Sequence, residues 1–227
     1  METSKPIEEQ KQLAQAVHAR LIGFFGKPEW RDPLPALDEL VSTILSQNTN
    51  DRNRDLAYQS LRRRFPTWEQ VRDAPQNDVI DAIRIAGLAN QKGPRIQAVL
   101  SEISAERGSL DLSFLADLSV QEAHTWLTHF KGVGPKTASI VLVFSLGKPA
   151  FPVDTHVYRV SGRLGLRPEK MGVEEAHVHL AGLFSPEDYG PDHLNVIRLG
   201  REICHARKPA CAHCPLKDLC SFYQSTK

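Results

Sequence analysis

Apolar residues recur along much of the chain at the three- and four-residue spacing of a helix that buries one face. Residues 37–45 show this spacing clearly: Leu37, Leu40, Val41, Ile44 and Leu45. We find no sustained alternation of apolar and polar residues, the pattern of a half-buried strand, and no convincing hairpin signal. The pattern predicts an all-α fold.

Start and stop signals separate the predicted helices. Residues 67–70 (Thr-x-x-Gln) and 119–122 (Ser-x-x-Glu) carry the capping-box pattern, in which side-chain and backbone groups at a helix start bond each other. The second pattern opens a helix that we expect to end near Lys131. Residues 79–83 predict another helix, which Gly87 would end because glycine readily takes a left-handed conformation.

Two of these helices are predicted to form a hairpin around the sequence Lys-Gly-Val-Gly-Pro-Lys at 131–136. The following residues, 138–144, are apolar nearly all round and are also compatible with a buried strand. Pro135 favours a helix, because its missing N–H is not needed in the first turn. The sequence therefore predicts a helix-hairpin-helix whose connection is Gly132-Val133-Gly134.

Composition narrows the class of protein only modestly. The chain of 227 residues is long enough for one large or two small domains with a real core. Its formal net charge of +1 does not by itself indicate a polyanionic partner. No apolar run approaches membrane-spanning length, and the start of the chain is polar, unlike a signal peptide. We expect an intracellular, cytoplasmic protein with no membrane partner.

The cysteines of the chain fall in one short window near its end. Six, two and five residues separate Cys204, Cys211, Cys214 and Cys220. Four thiolates can hold an iron–sulfur cubane, and they can also hold zinc. Zinc ribbons usually pair two Cys-x-x-Cys hooks, of which only one is present, and disulfides need an oxidising compartment. The spacing favours an iron–sulfur cluster, with zinc and disulfides as the alternatives.

The predicted hairpin has features of an anion site. Its two glycines allow positive φ and a close approach of the backbone, and the helix start adds free N–H donors, which together suit a phosphate of any base sequence. The alternative is a tight turn that only packs two helices. Lys136 lies in the first turn, where the helix dipole and burial would favour the free amine of a Schiff-base lysine. A merely exposed lysine is the alternative.

A second group of polar residues follows in Val-Asp-Thr-His at 153–156. Asp154 suits an N-cap of the next helix, and an ionised aspartate there could also stabilise a cation that forms on a substrate. His156 alone is more typical of a structural hydrogen-bonding residue. Basic residues crowd the cysteine window, among them Arg207 and Lys208, and this charge is either a solvated face or a contact surface for nucleic acid.

Three motifs taken together closely resemble the endonuclease III family: Gly-Val-Gly-Pro-Lys-Thr-Ala at 132–138, Val-Asp-Thr-His at 153–156, and the cysteine spacing. Their order and separations also match, from about residue 30 onward. The resemblance implies a DNA glycosylase with apurinic/apyrimidinic lyase activity on oxidised pyrimidines in damaged double-stranded DNA. It implies a six-helix domain over 29–148 and a second helical domain, from 1–28 and 149–227, that carries a [4Fe–4S] cluster. DNA would run along the cleft between them.

The resemblance also assigns roles to single residues. Lys136 resembles the nucleophile of the family and Asp154 its catalytic aspartate, while His156 is a further candidate for the pocket. The lysine separates enzymes that also nick the strand from those that only release the base. A lysine Schiff base permits β-elimination, which a purely hydrolytic glycosylase could not perform. The four cysteines would hold the cluster.

Further residues resemble the family's contacts to DNA. Leu88 matches the apolar wedge that fills the space of the extruded base, although a core position past a helix end is the alternative. Where the family commonly has Leu-Ser-Ala-Gln-Ala-Thr-Asp, residues 45–51 read Leu-Ser-Gln-Asn-Thr-Asn-Asp. Asn48 therefore takes the place of the gap-filling glutamine and Gln47 precedes it, which leaves the opposite-base preference open. The remaining predicted DNA contacts are Gly132, Val133, Gly134, Arg207 and Lys208.

Rival functions fit the sequence less well. An adenine glycosylase usually carries another residue type at position 136 and an added carboxy-terminal domain, whereas thymine-mismatch specificity is compatible with the change at Gln47 and Asn48. An electron carrier has no use for the hairpin, and a non-catalytic DNA-binding module would not need Lys136 together with Asp154. We expect a monomeric enzyme.

Overall fold

The computed structural model describes residues 6–29 and 32–226, so residues 1–5, 30, 31 and 227 of the predicted domains lie outside the described part. Within the described part the chain is helical and contains no strand, which confirms the predicted all-α class. The α-helices are α1 (Ile7–Phe25), α2 (Ala36–Ser46), α3 (Asp51–Arg64), α4 (Trp68–Asp73), α5 (Gln76–Ala82), α6 (Ala89–Arg107), α7 (Val120–Thr128), α8 (Pro135–Ser145), α9 (Thr155–Leu164), α10 (Val173–Ala181), α11 (Tyr189–Glu202) and α12 (Ser221–Ser225).

The chain divides into two compact units. One unit is Pro33–Lys148, and the other combines Met1–Asp32 with Pro149–Lys227. The sequence predicts this first boundary at residue 29. Because α1 packs on α11 in the second unit, the beginning of the chain is held by its carboxy-terminal part.

The core of the unit Pro33–Lys148 is built on α2. This helix packs against α8 and α3, and its predicted apolar face is buried. Residues 137–142 of α8 are buried all round, which explains why their sequence shows no polar face and resembles a buried strand. A helix buried on every side needs no amphipathic pattern. Pro135 is the first residue of α8, so the predicted start signal is confirmed.

Both predicted capping boxes are present. The Thr67 hydroxyl accepts from the Gln70 N–H at 3.3 Å, and the Gln70 side chain accepts from the Thr67 N–H at 3.1 Å. At the start of α7 the same pair of bonds joins Ser119 and Glu122, at 3.2 and 2.9 Å. These bonds satisfy N–H groups that have no partner within their own helix.

The helix stop predicted at Gly87 is wrong in its position. The α-helix over this segment, α5, ends at Ala82, and the 3₁₀ turn Arg84–Ala86 follows before Gly87 is reached. The N–H of Ile83 already bonds back to Ile80 and Val79, so the helix tightens one turn earlier than the apolar pattern indicates. Gly87 does adopt a positive φ of 66°.

The other unit packs α9 against α11 and α12, and α1 against α11. Buried apolar residues of α1 and α9 form its core, together with the middle of α11: Leu13, Val17, Leu21, Val157, Val160, Leu164, Val196 and Leu199. The short helix α12 follows the last cysteine directly. The cysteine segment is thereby held between α9, α11 and the end of the chain.

Candidate catalytic and DNA-binding site

The hairpin between α7 and α8 uses only one of its glycines for a positive φ. Gly132 has φ +89°, and a Cβ added there would lie 2.3 Å from Nε of Arg95. Gly134 has φ −92° and is the N-cap residue of α8, so the expectation that both glycines supply positive φ is corrected. Any other side chain at 132 would displace Arg95.

The other hairpin residues differ in position: Val133 packs in the core, whereas Gly134 and Lys136 lie at the start of α8. Val133 is 3% exposed, and its N–H donates to the Phe130 carbonyl at 3.0 Å, so it anchors the turn in the core. Gly134 offers no side chain to cap α8. The start of an α-helix is a favourable place for an anion. Lys136 is the second residue of α8 and is half-buried.

The segment after α2 reaches this hairpin through one amide. Nε2 of Gln47 donates to the Gly132 carbonyl at 3.3 Å, and Arg95 donates to Oε1 of Gln47 at 2.7 Å. The side-chain amide of Gln47 is therefore engaged in hydrogen bonds within its own unit. The neighbouring Asn48 is exposed, and no hydrogen bond of its side chain is found in the described part of the chain.

Three non-glycine residues have positive φ among those described, and all three are predicted DNA contacts: Asn48 at 51°, Leu88 at 50° and Lys208 at 50°. This conformation is uncommon for residues with a side chain and persists where the surrounding structure imposes it, often at functional sites. Leu88 is also 46% exposed, so it is no core residue. Nearly half of its surface is therefore accessible to a partner.

In the other unit Asp154 is the N-cap of α9. One carboxylate oxygen accepts from the Val157 N–H at 2.8 Å, while the second has no hydrogen-bond partner among the described residues. Two buried histidines hydrogen-bond to backbone carbonyls of the segment just before Asp154. His177 bonds the Phe151 carbonyl at 3.0 Å and His193 bonds the Pro152 carbonyl at 2.9 Å. Asp154 is thus held firmly and keeps one oxygen for another partner.

His156 faces the interior of its own unit. Its Nδ1 accepts from Arg159 at 3.0 Å, and it lies so close to Gly200 that a Cβ there would be 2.8 Å from this nitrogen. Burial first, and then the positive charges of Arg159 and Arg201, lower the pKa of His156, although Asp154 opposes them. A neutral ring that accepts from an arginine is consistent with the structural role expected for this residue.

The cysteine segment forms one pocket. The four cysteines line it together with apolar and long side chains: Arg163, Ile203, Pro209, Lys217, Phe222 and Tyr223. Arg163 donates to Sγ of Cys204 at 3.2 Å. Burial raises the pKa of the Cys214 and Cys220 thiols, and the neighbouring cysteines add to this.

The position of the cysteines suits the predicted cluster. No disulfide joins the four thiols. A cubane is bound at its corners by thiolates that stand further apart than the four ligands of a single zinc ion. The four sulfurs line one pocket, which suits a cluster held by all of them.

Two arginines of α9 donate hydrogen bonds to backbone carbonyls of Cys204 and of the loop that follows it. Arg159 donates to the Cys204 carbonyl at 3.0 Å, and Arg163 donates to the His205 and Ala206 carbonyls at 2.7 and 3.0 Å. Arg207 and Lys208, at the top of the loop, are exposed. The loop therefore presents positive charge on a fixed backbone.

Sequence reasoning missed the residues that support the site: Arg95, Arg159, Arg163, His177 and His193. Each forms a hydrogen bond to a carbonyl or side chain far away in the sequence. The periodicity of apolar residues does not reveal such a contact. One signal was available. Arg159 and Arg163 are four residues apart and so share a face of the helix that begins after Asp154.

Comparison with known proteins gives the family. Residues 41–186 match the HhH-GPD superfamily of base excision DNA repair proteins, and residues 204–220 match the iron–sulfur binding domain of endonuclease III. Endonuclease III of Sulfolobus acidocaldarius is 34% identical over 186 residues, which cover 81% of each chain. The chain belongs to the endonuclease III family.

Other endonuclease III relatives differ in how much of their length is shared. A predicted DNA glycosylase of Arabidopsis thaliana is 46% identical over 144 residues, which span 63% of this chain and 49% of that protein. A solved structure of a trapped endonuclease III–DNA covalent intermediate superposes with a TM-score of 0.81 at 26% identity, covering 95% of this chain and 98% of that one. The first alignment therefore spans about half of the plant protein, and the second spans nearly the whole solved chain.

Membership in the endonuclease III family establishes the class of enzyme. The chain is a base excision repair DNA glycosylase and AP lyase that binds DNA and carries a [4Fe–4S] cluster, as the motifs predicted. No helix of the described residues has the length and apolarity needed to cross a membrane.

Cysteine replacement tests the cluster pocket of this endonuclease III-family protein. The purified protein should be brown, with iron and sulfide each near four per chain, the content of a cubane with four thiolate ligands. Cys211→Ser should lower both contents and the melting temperature, because metal binding contributes to folding free energy. His213→Ser, which changes an exposed neighbour, should keep both. Stoichiometric zinc without visible absorption would contradict the cluster.

Proposed function

We propose that this endonuclease III-family enzyme removes oxidised pyrimidines from duplex DNA and then nicks the abasic strand by β-elimination through Lys136. The observation that carries the proposal is the position of Lys136, half-buried at the uncapped start of α8 and beside the family's glycine hairpin. A phosphate bound by the hairpin would place the neighbouring sugar near this amine.

The first step would expose the damaged nucleotide. An enzyme that acts on a base within a duplex must extrude it, and this costs less for a lesion that pairs or stacks poorly. Leu88 is the proposed wedge and Asn48 the proposed gap-filling residue. Their exposure and positive φ support these roles. Gln47, whose amide is engaged by Arg95 and Gly132, would position Asn48 and not itself enter the gap.

Lys136 would then supply the nucleophile. As its Nζ bonds to C1′ of the sugar, the bond from C1′ to the base breaks, and the base leaves with the electron pair and gains a proton. Nζ then loses a proton, and its lone pair forms a double bond to C1′ as the bond from C1′ to the ring oxygen O4′ breaks. O4′ leaves with that electron pair and gains the proton, which gives an open-chain iminium. Loss of a C2′ proton then breaks the bond from C3′ to its phosphate, which departs with the electron pair and leaves a nick. The trapped covalent DNA complex of a relative supports a covalent route.

Asp154 would stabilise the positive charge that develops on the sugar as the base leaves. Its N-cap bond holds one oxygen in place, and the other oxygen is available to face a cation. The carbonyl contacts of His177 and His193 would limit movement of the aspartate during the reaction. We assign His156 to the support of α9 in preference to the pocket.

The proposed DNA surface contacts phosphates in two places. Backbone N–H groups at the start of α8 would bind one phosphate, with Gly132 and Gly134 allowing the close approach. Arg207 and Lys208 would contact others. The [4Fe–4S] cluster, held by the four cysteines, would hold this basic loop in shape and take no part in the chemical steps. A monomeric state and a cytoplasmic location stay predictions from the sequence.

Substitution of the two catalytic residues tests the mechanism. Borohydride should trap wild-type enzyme on an abasic-site duplex, because reduction converts the imine to a stable amine. Lys136→Gln should abolish trapping and nicking with binding nearly intact. Lys131→Gln, an exposed lysine of the same hairpin, should trap normally. Asp154→Asn keeps a cap but loses the charge, so base excision should fall about 100-fold or more. Normal trapping by Lys136→Gln would identify another amine as the nucleophile.

A substrate panel tests the proposed specificity. Duplexes with dihydrouracil, thymine glycol, uracil opposite guanine, thymine opposite guanine or a plain abasic site should be compared under single-turnover conditions. We expect release of dihydrouracil and thymine glycol together with nicking of the abasic site. Faster release of mismatched thymine or uracil would overturn oxidised-pyrimidine specificity while leaving the lysine mechanism in place.

Salt dependence tests the basic loop. Arg207→Ala combined with Lys208→Ala should weaken binding to damaged and undamaged duplexes alike, and each lost phosphate contact should reduce the slope of log K against log salt by about 0.9. Lys170→Ala, an exposed lysine on another loop of the same unit, should leave the slope unchanged. Loss of lesion discrimination alone would mean that the two residues read bases.

A further inference from the structure

Lys92 is a fully buried lysine that the proposed reaction does not use. It is 1% exposed, although lysine is almost never buried to this degree unless it is paired. Its Nζ donates three hydrogen bonds, to the Leu45 carbonyl at 2.8 Å, the Thr49 hydroxyl at 2.7 Å and the Ala86 carbonyl at 2.9 Å. Three N–H groups therefore meet three oxygens.

The charged form of Lys92 suits this arrangement. Burial first, and then the charge of Arg95, lower its pKa to about 8, so the ammonium form still prevails at neutral pH. An ammonium has three N–H donors, whereas a neutral amine has two. An apolar side chain of similar size would leave two carbonyls without this donor, which is costly in a buried place.

The three acceptors belong to the two segments that carry the proposed DNA-inserting residues. Leu45 lies in the last turn of α2, and Thr49 follows Asn48 directly. Ala86 ends the 3₁₀ turn that leads to Leu88. The Thr49 hydroxyl also contacts the Ala86 carbonyl directly, so the two segments meet at the Lys92 ammonium.

Lys92 also holds the wedge through its backbone. Its N–H donates to the Leu88 carbonyl at 3.0 Å, closing the first turn of α6. Asn48 and Leu88 both have positive φ, a conformation that residues with side chains keep only where neighbouring contacts impose it. Lys92 thus bonds Thr49, which follows Asn48, and Ala86, which lies two residues before Leu88. It also bonds Leu88 itself.

We propose that Lys92 is a positioning residue that locks the Asn48 and Leu88 segments together, so that both side chains enter the gap in the DNA as one rigid unit. The inference rests on the proposed insertion of these two residues. It assigns to Lys92 a role in damage recognition that acts through the loops and without contact to DNA.

The test uses the full chain with its cluster and a duplex in which a tetrahydrofuran abasic analogue lies opposite 2-aminopurine. Insertion by wild-type enzyme should unstack the 2-aminopurine and raise its fluorescence. Lys92→Met keeps length and apolar bulk but removes the donors, so it should give less than about half of this rise. Binding to undamaged duplex should change little, because that binding is carried by phosphate contacts.

Two activity measurements should move apart in the same variant. Excision of dihydrouracil from duplex DNA should fall about 10- to 100-fold, the range expected when a supporting contact misplaces groups by about an ångström. Nicking of single-stranded abasic DNA should keep the wild-type rate, since no gap has to be filled there. An equal loss of both rates in a folded Lys92→Met protein would overturn the positioning role.

Matched variants control for charge and folding. Lys148→Met removes a half-buried lysine of the same unit that donates to a backbone carbonyl, that of Leu118, and should behave as wild type. Thr49→Val removes the hydroxyl at the junction and should give an intermediate loss of fluorescence rise. If Lys92→Met fails to fold, Thr49→Val decides the question by the same measurement.

The outcomes separate this inference from the function on which it rests. If Asn48→Ala and Leu88→Ala both leave the fluorescence rise intact, insertion by these residues is wrong and the role of Lys92 falls with it. If they lower the rise but Lys92→Met does not, only the role of Lys92 is overturned. In the Leu88→Ala background Lys92→Met should cost much less than in the wild type, and full additivity would also overturn the proposal.

Discussion

The packing of α2 against α8 is the contact on which the position of the hairpin depends. Both helices are apolar where they meet, and residues 137–142 of α8 are buried. The end of α2 lies beside this hairpin, because Gln47 bonds the Gly132 carbonyl there. One apolar contact thereby places the proposed nucleophile, the proposed phosphate site and the proposed gap-filling segment together. Hydrophobic burial, which has no direction of its own, positions the residues of the proposed site here.

Backbone strain concentrates where this endonuclease III-family protein is proposed to meet DNA. Asn48, Leu88 and Lys208 adopt positive φ, and each lies next to a strong set of hydrogen bonds: the Lys92 junction for the first two, and the carbonyl contacts of Arg163 for the loop of the third. Rigid contacts beneath a loop allow its tip to hold a conformation that it would leave in isolation. Such a tip loses little further conformational entropy when it binds a partner.

In the other unit, arginine side chains likewise support a loop, the one that follows the first cysteine. Asp154 caps α9, and Arg159 and Arg163 of the same helix contact the first cysteine and its loop, so one helix carries both the proposed catalytic carboxylate and the supports of the cluster ligands. The four cysteines line one pocket, and ligands bound to a metal centre contribute to folding free energy. The role proposed for the cluster is to hold this segment in shape.

The sequence by itself determined the helical class, both capping boxes, the start of α8 at Pro135, the cysteine set and the family, because each depends on residues close together in the chain or on motif order. It misplaced the end of the helix before Gly87, where tightening of the last turn overrides the apolar pattern. Only the tertiary structure decided that Gln47 faces inward and Asn48 outward, and that Lys92 joins two loops. Those outcomes depend on carbonyls brought together by folding, and a carbonyl is the same in every residue, so no pattern of side chains encodes them.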